Sequence, residues 1–139
     1  KESFSRLKKH IHVSHETLEK LIIYSDLLNV WQKKMNLVSN NSLENAETRH
    51  FLDSAQLYIF CKNLNGNIID FGTGAGFPGA VLSILGASKI FLVESNKKKC
   101  NFLTKFFFVK RFFKTTYAGG RPPICKYLII IFCGAIFLQ

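Results

Sequence analysis

The ten residues Asp70-Phe71-Gly72-Thr73-Gly74-Ala75-Gly76-Phe77-Pro78-Gly79 constrain this 139-residue chain more than any others. They close a short apolar run, 67–71, of the kind that forms a buried parallel strand. Pro78 suits the first turn of a helix, which the pattern carries through Leu85. Gly86 ends that helix, and 89–94 reads as a second strand. Ser95 and Asn96 are placed to cap a third helix from about Lys97 to Phe107. A strand–helix–strand–helix series predicts an α/β fold with a parallel sheet.

Glycines between a strand and a helix let the backbone turn tightly and approach a ligand closely. Glu94 lies 20 residues beyond Gly74, at the end of the second strand, where a carboxylate can accept hydrogen bonds from both hydroxyls of a ribose. An adenosine-containing cofactor across the two strands follows. Two cofactors compete. Read from Gly74 through Gly76 to Gly79, the segment satisfies the GxGxxG of a nicotinamide or flavin dinucleotide site. Read from Asp70 it is DxGxGxG, and the apolar run ends where that loop would open. Asp70 repels a phosphate but attracts the ammonium of S-adenosylmethionine. The second reading is the stronger, and a Gly72→Asp change is expected to abolish binding by filling the turn and adding a like charge.

The N-terminal region, 1–62, reads as helical. Leu18, Leu21, Ile22, Leu28, Trp31 and Met35 form an apolar stripe from an N-cap at Ser14 to about Lys34. A second stretch runs from about Leu43 to Leu52. Asp53 and Gln56 have the form of a capping box opening a short helix to Cys61. Residues 63–105 hold the strand–helix units.

Composition changes sharply after that. Residues 1–96 carry ten Lys/Arg and all nine Asp/Glu, whereas 97–139 carry nine Lys/Arg and no acid. Eight of the fourteen phenylalanines fall in the later part. Residues 106–139 show no consistent period; the apolar run from Tyr127 to Leu138 is too short to span a bilayer and suits a buried strand or helix. The change of composition is what a frameshift or truncation near residue 105 would produce. Cys61, Cys100, Cys125 and Cys133 form no CxxC pair and have no histidine at a zinc-ligand spacing, so they read as thiols of a cytoplasmic protein with no metal site.

The segments LLNVWQKKMNLVS (27–39), RHFLDS (49–54), DFGTGAGFPGAVLSI (70–84) and VESNKKKCNFL (93–103) occur in that order. Together they resemble the glucose-inhibited division protein B family, bacterial S-adenosylmethionine-dependent methyltransferases that modify guanine N7 of 16S ribosomal RNA in the small subunit. The resemblance covers about 15–105. It implies N-terminal helices followed by a Rossmann-like methyltransferase sheet, here incomplete. It also implies that Gly72 and Phe77 border the S-adenosylmethionine site, that Asp70, Gly74 and Gly76 shape the loop, and that Glu94 holds the ribose. The acidic pair after the third strand and the Ser-Arg-Ala segment after the fourth, both implied by the family, are not in the sequence. A weakly active or inactive chain is therefore expected, and separately it is expected to be a monomer. A non-catalytic RNA-binding remnant and a dinucleotide-binding oxidoreductase are the alternatives.

Guanine N7 offers its own lone pair, so the transfer needs alignment and dryness, not a general base. No catalytic residue is assigned. His50 reads either as a contact to RNA or cofactor or as a histidine packed between helices and sheet. Arg49 suits a phosphate contact or an ion pair with Glu47 or Asp53. Trp31 belongs to the apolar stripe. Lys97, Lys98 and Lys99 open a helix, where its dipole disfavours cations, which makes RNA phosphate contact one reason for them and a solvated charge run the other.

Overall fold

The computed structural model describes residues 4–39, 45–87 and 89–109, with the strand backbones of 115–116 and 128–132; side chains are described as far as Phe106. A short helix α1 (Ser5–His10) leads into α2 (His15–Gln32). Ser14 caps α2 as expected, its Oγ accepting from the Thr17 N–H at 3.1 Å. Leu21, Tyr24, Leu28 and Gln32 recur at three- and four-residue spacings and are the buried stripe of α2. Beyond its end, the Gln32 amide pins the returning chain. Its Oε1 accepts from the Leu37 and Val38 N–H groups, and its Nε2 donates to the Val38 carbonyl at 2.8 Å.

The chain next forms a wide helical turn, α3 (Glu47–Leu52), followed by the single turns α4 (Asp53–Gln56) and α5 (Tyr58–Cys61). Here the structure corrects the expected capping box. Leu52 and Asp53 both keep right-handed helical backbone, so the helix does not restart at Asp53, and no side-chain cap forms there. A carboxylate inside a continuing helix finds no free N–H groups to accept from.

β1 (Ile68–Phe71) and β2 (Ile90–Glu94) pair in parallel, with Asp70 opposite Leu92 and Phe71 opposite Val93. Between them lies α6 (Gly79–Ile84), every residue of which is buried. Gly86, at φ +106°, ends it: its N–H donates to the Ser83 carbonyl, and that of Ala87 to Leu82. That pair of bonds is a Schellman stop, which requires the left-handed conformation glycine adopts without strain. α7 (Lys97–Val109) follows, capped by Asn96, whose Oδ1 accepts from the Lys98 and Lys99 N–H groups. β3 (Thr115–Thr116) and β4 (Leu128–Phe132) complete a sheet of order β1-β2-β4-β3, with β4 antiparallel to β2. The fold is thus mixed α/β with a parallel β1–β2 pair. The apolar run 127–138 supplies a strand over 128–132, while the Gly/Pro-rich 117–123 lies outside the described residues.

One apolar cluster joins the helices to the sheet. Phe4 and Leu7 of the first segment, Tyr24 and Leu28 of α2, Phe51, the α6 aliphatics, Ile90, Leu92, Phe102 and Phe106 are all buried in it. The outer face of β1 is open, with Ile69 and Phe71 exposed.

Candidate cofactor site

The glycine loop lies at the C-terminal tips of β1 and β2, where α/β sheets hold their ligands. Gly72, Gly74 and Gly76 all take positive φ, +69°, +61° and +105°. The loop is anchored to β2 because the Gly72 and Thr73 N–H groups both donate to the Val93 carbonyl, at 2.8 and 3.2 Å. Two carboxylates brace it from either side. Asp70 Oδ2 accepts from Thr73 Oγ1 at 2.6 Å and from the Gly79 N–H at 2.9 Å. Glu94 Oε2 accepts from the Gly74 N–H at 2.9 Å, and its Oε1 from Ser95 and Asn96 N–H at 2.8 and 2.7 Å. Burial raises the Asp70 pKa above its ordinary value, against the opposing pull of the Thr73 and Gly79 bonds.

The glycines serve different needs. A Cβ at Gly72 would meet nothing within 4 Å, so the turn is open to a ligand and is not filled by a larger side chain. The expected effect of Gly72→Asp therefore rests on positive φ and like charge, and its space-filling part is corrected. A Cβ at Gly76 would lie 2.7 Å from the Tyr24 hydroxyl and 3.0 Å from both Ala80 and Leu103. At Gly79 it would collide with Leu92 and stand 2.9 Å from Asp70 Oδ2.

Phe77 is held on three sides. The His50 ring stacks on it at 4.8 Å, Tyr24 at 5.3 Å, and Phe51 meets it edge-on at 5.2 Å. The structure thus places His50 between the helices and the glycine loop. Its Nε2 is buried and makes no hydrogen bond, and burial lowers its pKa. Tyr24 was not singled out by the sequence reading. It is fully buried, and its hydroxyl donates to the Ala75 carbonyl at 2.5 Å. The available signal was a tyrosine on a leucine stripe, since a buried phenol needs a partner.

Arg49 is exposed and pairs with neither Glu47 nor Asp53; Glu47 instead accepts from the Arg6 and Leu7 N–H groups at the start of α1. Lys97 and Lys98 are exposed. Lys99 turns toward the loop, its Nζ 4.0 Å from where a Gly74 Cβ would be, and lines a cleft of about 350 Å³ with Asn36, Leu37, Val38 and Ser39. Trp31 is half-buried, edge-on to Phe102, with the Lys105 ammonium 5.4 Å above its ring. Among the described residues no three His, Cys, Asp or Glu side chains are grouped to hold a metal, and no helix is long and apolar enough to cross a membrane.

Fold and site together define an α/β protein organised around a glycine loop at the tips of two parallel strands. The model of the rRNA small subunit methyltransferase G family matches residues 17–114, and the chain belongs to that family. Among its relatives, ribosomal RNA small subunit methyltransferase G of Rickettsia akari (strain Hartford) is 47% identical over 95 residues, 68% of this chain and 50% of the relative. That of Rickettsia prowazekii (strain Madrid E) is 47% identical over 93 residues, 67% and 49% of the two chains. That of Paramagnetospirillum magneticum is 48% identical over 91 residues, 66% and 44%. The chain spans about half the length of these curated relatives.

Proposed function

We propose that the chain binds S-adenosylmethionine across the tips of β1 and β2, on a Rossmann-like sheet, and belongs to the machinery that methylates guanine N7 of 16S ribosomal RNA in the cytoplasm. The observation that carries this reading is the placement of the two loop carboxylates. Glu94 stands at the tip of β2, buried and within 2.9 Å of Gly74 N, where a ribose lying over the glycines meets a fixed acceptor. Asp70 accepts from the Gly79 N–H at the opening of α6, the place where a dinucleotide pyrophosphate would need free N–H groups. That arrangement favours a cationic amino-acid tail over a phosphate.

When bound, the cofactor supplies a methyl group on a sulfonium. The protein's part is to orient and to exclude water. Gly72 gives close backbone approach, Phe77 borders the site, and Asp70 supplies negative charge facing the ammonium. Gly74 and Gly76 hold the loop's shape. No residue needs to take a proton from N7, because its lone pair is free. Arg49, Lys97, Lys98 and Lys99 are the proposed phosphate contacts to the RNA. Their contribution would weaken as salt rises.

Calorimetric titration with S-adenosylhomocysteine and with NAD tests the assignment. Binding of the first and not the second is expected; tight NAD binding without an S-adenosylhomocysteine signal would overturn it in favour of an oxidoreductase. Mass spectrometry of small-subunit RNA incubated with the chain and S-adenosylmethionine then reads transfer. Residues 1–139 contain neither the acidic pair nor the Ser-Arg-Ala segment, so weak or no transfer is expected from them alone.

A further inference from the structure

We propose that Tyr24 is a positioning residue for the cofactor loop, its buried hydroxyl fixing the Ala75 carbonyl while its ring and that of His50 fix Phe77. The ligand part of this inference rests on the S-adenosylmethionine reading above; the loop-positioning part does not.

The carbonyls of Thr73 and Gly76 are bound locally. Thr73 accepts from the Gly76 and Phe77 N–H groups, and Gly76 accepts from Ala80. Ala75 is different, because its carbonyl is held from 51 residues away by the Tyr24 hydroxyl. That single bond sets the orientation of the peptide joining Ala75 to Gly76. Gly76 follows at φ +105°, with no room for a side chain beside the same hydroxyl. The phenol itself cannot drift, since its ring is held by Phe106 of α7 at 4.6 Å and Phe51 of α3 at 5.4 Å.

A phenylalanine would fill this space equally well. The hydroxyl adds almost nothing to apolar burial and is costly to desolvate unless it finds a partner. Its contribution is therefore to the loop. Burial, reinforced by the Asp70 charge, raises the phenol pKa well above the usual value, so Tyr24 remains a donor throughout the working pH range.

The test uses the 139-residue chain with Tyr24→Phe, which keeps the ring, and Leu7→Ala, which removes core volume in α1. Backbone amide exchange at Gly76 and Phe77 is read in the unliganded proteins, with thermal unfolding alongside. S-adenosylhomocysteine affinity is measured well below both unfolding midpoints. Tyr24→Phe is expected to speed exchange at Gly76 and Phe77 and to weaken S-adenosylhomocysteine by about tenfold. Leu7→Ala, at an equal or larger loss of unfolding temperature, should leave both within about twofold. Unchanged exchange at Gly76 and Phe77 in Tyr24→Phe, or an equal change in Leu7→Ala, would overturn the proposal. If the unaltered chain binds no S-adenosylhomocysteine, the cofactor reading falls while the exchange measurement still decides the role of Tyr24. Should Tyr24→Phe fail to fold, the unaltered chain decides: a Gly76 amide exchanging as fast as that of the open turn at Gly66 also sinks it.

Discussion

Gly74 and Glu94 are joined across the two strand tips, the glycine N–H donating to Glu94 Oε2 at 2.9 Å. The carboxylate proposed to take the ribose thus already closes the loop from the other side, and its second oxygen starts the turn into α7 through Ser95 and Asn96. Glu94→Gln cannot preserve both sets of bonds, because an amide keeps one acceptor oxygen and replaces the other with an NH₂ that only donates. One backbone N–H group is left facing an NH₂. A stability loss of about 1–3 kcal/mol is expected by thermal unfolding, with S-adenosylhomocysteine affinity reduced more than about tenfold.

The loop glycines should separate on substitution. Gly72→Ala meets open space but must hold φ +69°, so it should cost roughly 1–2 kcal/mol. Gly76→Ala adds clashes with Tyr24, Ala80 and Leu103 to its own positive φ and should cost about 3 kcal/mol or more. Equal denaturant midpoints for the two variants would show that the packing around Gly76 is not as described.

Asp70 is the place where stability and binding diverge. Its pKa is raised in the folded chain, so the native state binds its proton more readily than the unfolded state. Its contribution to stability therefore grows as pH falls through the folded pKa toward the ordinary value, and the charged form weighs against the fold above it. Asp70→Asn keeps an acceptor for Thr73 and Gly79 while removing the charge. Unfolding at pH 7 should change by less than about 1 kcal/mol, the acid-side gain should vanish, and S-adenosylhomocysteine should bind about tenfold more weakly.

His50 runs the other way. Burial lowers its pKa below the ordinary 6.5, so the unfolded chain takes up the proton first as pH falls. Stability attributable to the neutral ring is fully present above 6.5 and is lost as pH drops from there through the folded pKa. His50→Phe preserves a ring against Phe77 and removes the unpartnered Nε2. It should raise stability by about 1 kcal/mol and flatten this part of the pH profile, as followed by unfolding midpoints between pH 5 and 7 (about the window in which histidine titrates).

The sequence by itself determined the local elements of this protein. Ser14 and Asn96 cap helices, Gly86 stops one, and the apolar runs at 68–71 and 90–94 become parallel strands. Each of these is set by chemistry within a few residues, such as a side-chain acceptor, a missing Cβ or a continuous apolar run. The spacing of Gly74 and Glu94 was equally legible, because a strand–helix–strand unit returns the chain to the same edge of the sheet. Asp53 shows the limit of such reading, since its pattern resembled a cap while its backbone continued the helix. Only the tertiary structure decided that Asp70 faces Gly79, that Gly72 is open while Gly76 is closed, and that Tyr24 holds Ala75. The closure of Gly76 and the bond to Ala75 depend on how α2 and α7 pack over the loop, through Tyr24 and Leu103. A hydrogen bond spanning 51 residues leaves no period or local pattern in the chain.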